Sequence, residues 1–66
     1  MKKDERALAK MVVDGMSVRA AAEYLHMPDK RACYIAQKWA DKGLYDYGVS
    51  VDLGWLTDAG RTIFGG

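Results

Sequence analysis

The sequence predicts a mainly α-helical fold with one small β-hairpin near its C-terminal end. Three observations carry that expectation. Apolar residues recur at helical spacing as far as residue 42. Gly15, the run His26-Met27-Pro28 and Gly43 break the pattern where helices should end. Tyr, Val, Leu and Trp then take over between Leu44 and Thr57, punctuated by Gly48, Ser50, Asp52 and Gly54.

The elements follow in order. Residues 1–16 read as a first helix, with Asp4 as its N-cap and Ala7, Leu8, Met11 and Val12 on one apolar face. Gly15 suits the left-handed position that closes a helix. Ser17 to Leu25 reads as a short second helix, capped by Ser17. Its Ala20, Ala21 and Ala22 have little bulk, so another helix can approach closely. His26 falls where the chain must turn, and His is enriched in the left-handed conformation. Pro28 fits the start of a helix but not its interior. Asp29 to Lys42 reads as the third helix. Ala32, Ile35, Ala36 and Trp39 share its inner face, and Lys30, Arg31, Cys33, Tyr34, Gln37, Lys38 and Lys42 its outer one. Gly43 ends it, after a cation where the helix dipole favours one. Leu44 to Thr57 reads as two strands turning near Gly48 to Asp52. Leu44 and Leu56 should point inward, which leaves Tyr45, Tyr47 and Trp55 either on an outer surface or covering the small core and packing on one another. Residues 57–64 suit a last helical turn capped by Thr57.

Composition removes several classes of function. The chain has 66 residues, half of them hydrophobic, with ten Lys and Arg against nine Asp and Glu, a net charge of +1. It is neither a polycation nor an acidic tail. No linker or repeat divides it, so residues 1–66 are expected to form one domain with a thin core. Met1 fits a whole gene product. One cysteine cannot form an internal disulfide, and one His with one Cys falls short of a structural zinc site. No cofactor or metal is expected. No apolar run approaches membrane-spanning length, and Asp4, Glu5 and Arg6 stand where a signal peptide needs apolar residues. A cytoplasmic protein is expected. No nucleophile, base and orienting group can be assembled, so neither catalysis nor a small-molecule substrate is expected. Cys33 reads as an incidental thiol, although Arg31 beside it would favour the thiolate.

From Ser17 to Tyr45 the chain resembles the helix-turn-helix consensus. Ala22 matches the small residue packed on the recognition helix. Leu25 matches the apolar end of the first motif helix, and His26 stands at the turn position usually held by glycine. Met27 matches the buried residue after it, Pro28 the helix start, and Ala32, Ala36 and Trp39 the inward positions. Asp41-Lys42-Gly43-Leu44-Tyr45 is similar to the exit of winged-helix regulators. Leu56-Thr57-Asp58-Ala59-Gly60-Arg61 resembles the "L-T-x-x-G-R" that follows the wing in MarR-like proteins. The likeness covers residues 5–64 and implies a winged helix-turn-helix of three helices plus a wing. Its size resembles that of compact regulators in phages and mobile elements.

The resemblance implies a transcriptional regulator that binds double-stranded DNA, with its third helix (29–42) in the major groove. It implies DNA contacts from Arg19, Lys30, Arg31, Tyr34, Gln37 and Lys38, with Arg31 placed to grip guanine and Arg19 to meet phosphate. The cationic surplus agrees, because residues 1–10 and 29–42 each carry four positive and two negative charges. The wing departs from the family. Residues 43–66 carry one positive and three negative charges, and the hairpin has no basic residue. A second reading follows, a protein-interaction module that uses Tyr45, Tyr47 and Trp55 for a homodimer or another protein partner.

Overall fold

The computed structural model describes residues 1–65 and is mainly helical. Helices α1 (Lys3–Val13), α2 (Val18–Tyr24) and α3 (Asp29–Asp41) come first. Strand β1 (Tyr45–Asp46), a 3-10 turn (Val51–Leu53), strand β2 (Trp55–Leu56) and helix α4 (Asp58–Gly65) follow. No described helix is long and apolar enough to cross a membrane.

The first three helices end alike. Gly15, His26 and Gly43 have φ values of +107°, +56° and +76°. The residue after each donates its N–H to a carbonyl five positions back: Met16 to Met11, Met27 to Ala22, Leu44 to Trp39. This left-handed closure satisfies carbonyls that a helix end otherwise leaves open. At the other ends, Ser17 Oγ accepts from the N–H of Ala20 at 3.0 Å. Thr57 Oγ1 accepts from Gly60 N–H at 3.1 Å and donates to the Gly43 carbonyl at 2.7 Å. Thr57 thus caps α4 and ties it to the end of α3.

Asp4 is not the cap of α1. Lys2 occupies that position with no side-chain cap bond, and Asp4 lies inside the first turn. There its carboxylate accepts from the Glu5 N–H and faces the positive end of the helix dipole.

The core gathers the inner faces of α1, α2 and α3. Trp39, Leu8, Ile35 and Val18 are its largest fully buried side chains, and Ala9, Ala21, Ala22, Ala32 and Ala36 let the helices close around them. Phe64 of α4 packs at a tilt against Trp39, with ring centroids 4.8 Å apart.

The hairpin is shorter than expected, and the alternation of its first strand is displaced by one residue. Tyr45 pairs with Leu56 and both point inward, while Asp46 pairs with Trp55 and both point outward. Tyr45 is therefore core, only 3% exposed. Its ring meets Trp39 edge to face, and its hydroxyl accepts from the Gly54 N–H at 2.7 Å. Tyr47 is half-buried. Of the two readings open for these three aromatics, Tyr45 and Tyr47 follow the one that covers the core, and Trp55 lies outside, 53% exposed. A two-residue strand has too little alternation to set its own phase, so the contact of Tyr45 with Trp39 and its hydrogen bond from Gly54 decide it.

Candidate nucleic-acid interface

Helix α3 buries Ala32, Ile35, Ala36 and Trp39. That choice turns Lys30, Tyr34, Gln37 and Asp41 directly outward, since these residues recur at helical spacing on the opposite side. Arg31 and Lys38 flank this stripe toward α1, and Cys33 flanks it toward the 3-10 turn.

The flanking cations are held by acids. Arg31 donates to both carboxylate oxygens of Asp4, from Nε at 3.0 Å and from Nη2 at 3.1 Å. Lys38 Nζ donates to Glu5 Oε1 at 2.7 Å. The other oxygen of Glu5 accepts from the Trp39 indole N–H at 3.0 Å. Two consecutive residues of α1 thus hold two cations one heptad apart on α3. Arg19, on α2, donates to both oxygens of Asp52, at 2.8 and 3.2 Å, and Ser50 Oγ donates to the same carboxylate at 2.6 Å.

These pairs set the protonation of the acids. The Arg31 hydrogen bond holds the Asp4 carboxyl below the ordinary carboxylate range. Arg19, then Ser50, does the same for Asp52. Burial pushes Glu5 upward, but the hydrogen bonds from Lys38 and Trp39 and the cationic charges outweigh it, so its value is lowered. Each carboxylate stays charged at neutral pH and keeps its cation.

Gln37 is occupied as well. Its amide donates to Asp41 at 3.1 Å and accepts from the Tyr47 hydroxyl at 2.8 Å. Tyr34 is 61% exposed. Its ring lies between the Arg31 guanidinium carbon, 6.0 Å from the centroid, and the Lys38 ammonium, 5.9 Å away. A groove of about 430 Å³ runs beside it, lined by Met1, Lys2, Glu5, Arg31, Tyr34 and Lys38. Lys30 is exposed and forms no ion pair, as is true of Lys2, Lys3, Arg6, Lys10 and Lys42 among the described residues.

The sequence-predicted residues therefore divide. Lys30, Arg31, Tyr34, Gln37 and Lys38 do share the outer side of α3, and Arg19 stands apart on α2, fastened to the hairpin side. Of these six, the Lys30 ammonium and the Tyr34 hydroxyl have no hydrogen-bond or ion-pair partner among the described residues. Sequence reasoning missed the acids Asp4, Glu5 and Asp52. Glu5 carried a signal, because residues 5, 8, 9 and 12 share the buried stripe of α1. Asp52 carried none.

The expectation for Cys33 changes too. Burial, then the charges of Asp52 and Asp29, raise its thiol, with Arg19 opposing. Arg31 does not favour the thiolate, because it turns toward Asp4. Among the described residues no cluster of His, Cys, Asp and Glu has the makings of a metal site.

Comparison with protein-family models, with curated proteins and with solved structures finds no match to this chain.

Proposed function

We propose that this chain is a winged helix-turn-helix module that binds double-stranded DNA through the outer face of α3 and acts in transcriptional regulation. The observation that carries the reading is the exposed start of α3. Lys30 forms no ion pair among the described residues, and Tyr34 opens onto a groove that also presents Lys2, Arg31 and Lys38. The tight left-handed turn between α2 and α3, and the short two-stranded hairpin after α3, support the same reading.

The ion pairs refine which residues do the binding. A guanidinium gripped by Asp4 must surrender that partner to reach a base, so Arg31 is a weak candidate for guanine readout. Lys30, Tyr34 and Lys2 are the first contacts, and Arg31 and Lys38 add a nearby positive field.

An amide chemical-shift titration with a duplex of about 15–20 base pairs tests the reading, repeated across a salt series. Shifts centred on residues 29–38 that fade with salt are the expected result. The salt dependence also counts contacts. With about three phosphates engaged, affinity falls roughly 40-fold between about 50 and 200 mM salt, and with about six it falls more than 1,000-fold. We expect the smaller figure, because Arg19, Arg31 and Lys38 are already neutralised. No shifts at low salt would end the DNA reading.

A further inference from the structure

Charge and exposed apolar area are unevenly distributed over this molecule, and two patches away from the outer face of α3 match each other. The first is a knob. Asp46 and Trp55 are cross-strand partners, so their side chains leave the same face of the ribbon. Asp46 is exposed and Trp55 is 53% exposed. Leu53 and Val49 are exposed in the adjoining loop, and no basic residue lies between Gly43 and Gly60. The knob is a large aromatic ring beside a carboxylate.

The second patch is a groove between α1 and α4. It has a volume of about 220 Å³ and is lined by Met1, Arg6, Ala9, Lys10, Ile63 and Phe64. Its floor is apolar, Ile63 is 60% exposed, and its rim carries two cations that form no ion pair among the described residues. Such a groove favours an aromatic ring accompanied by negative charge. The ring gains apolar burial and the faces of nearby cations, and the carboxylate gains their charge.

We propose that the Asp46–Trp55 knob of one copy seats in the α1–α4 groove of a second copy. The occupant is a second copy because this chain itself carries the complementary charge, the Asp46 carboxylate beside an exposed ring on one face and Arg6 and Lys10 around an apolar groove on another. Knob and groove are unlike surfaces, so the contact is heterologous, and each copy can use both. The interface is small and the association correspondingly weak.

Sedimentation velocity on the wild-type chain tests this from about 10 µM to about 1 mM, the range in which small interfaces dissociate. Concentration-dependent association that weakens with added salt is expected. Trp55→Ala removes the knob, and Arg6→Glu with Lys10→Glu inverts the groove; each should weaken self-association at least about tenfold. The decisive measurement is the mixture. Knob-deficient and groove-deficient chains, each failing to associate alone, should associate with one another, because one supplies an intact groove and the other an intact knob. Amide spectra confirm that the variants are folded, and Asp46→Lys, a change at an exposed site, provides a second knob variant. The proposal is overturned if the wild type stays monomeric throughout. It is equally overturned if association survives both kinds of variant, or if the mixture stays monomeric.

Discussion

Glu5→Ala tests whether the buried carboxylate of α1 ties α1 to α3. Glu5 is 4% exposed and serves two donors, the Trp39 indole N–H and the Lys38 ammonium. Alanine leaves the buried indole N–H without a partner, which costs about 1–3 kcal/mol. Lys38 is 35% exposed along its side chain and turns to water, so its share is held to about 1 kcal/mol or less. Together the loss is about 1–4 kcal/mol, a large part of the roughly 5 kcal/mol expected of so small a domain. Glu5→Gln keeps an acceptor for Trp39 and gives up only the charge, so it should cost about 1 kcal/mol. Thermal unfolding followed by circular dichroism reads both, at roughly 4–8 °C per kcal/mol for a chain of this size. The carboxyl is lowered from its ordinary 4.5 in the folded state. Its stabilisation is therefore present above that ordinary value and is lost as pH falls through the lower folded one. Wild type should lose stability in that acid window, and Glu5→Gln should lack this component of the loss. A Glu5→Ala cost below about 1 kcal/mol, or equal costs for the two variants, would refute the reasoning.

Four further outcomes are expected. Ser17→Ala removes the acceptor for the Ala20 N–H and should cost about 1 kcal/mol, read as a fall in melting temperature of several degrees. His26→Gly relieves a left-handed residue that is not glycine, and chemical denaturation should find it neutral or more stable by up to about 1 kcal/mol. Gly60→Ala would drive a Cβ into the Leu44 carbonyl, so it should be strongly destabilising and poorly expressed. Lys30→Ala and Tyr34→Ala should each weaken binding to duplex DNA, measured by fluorescence anisotropy, whereas Lys42→Ala at the far end of α3 should change it less.

What the sequence made legible was local. Gly15, His26 and Gly43 mark helix ends through a backbone conformation that each residue carries by itself, and Ser17 and Thr57 cap within three residues of their own position. Trp39 and the alanines announce the core by spacing alone. The partners of the cations were not legible. Arg31 finds Asp4 across 27 positions, and Lys38 and Arg19 find Glu5 and Asp52 across 33 each. No periodicity spans such distances. The choice of face for Tyr45 was open in the sequence for a related reason. Its inward turn depends on Trp39, a residue of another element, and a strand of two residues has no pattern of its own to oppose it.

The acids that composition left unassigned decide how the basic residues of α3 are to be understood. The helix-turn-helix resemblance marks Arg19, Arg31 and Lys38 as binding residues, yet each links its helix to another element through a carboxylate. In a core built from alanines and a few large side chains, such links also hold the tertiary structure together. A phosphate approaching Arg31 replaces one anion by another, so the net gain is only the difference between two similar interactions. Lys30 and Lys2 have no such partner to give up among the described residues. The discriminating positions on the proposed DNA surface are therefore Lys30, Lys2 and Tyr34, and the ion-paired cations mark where the chain binds itself.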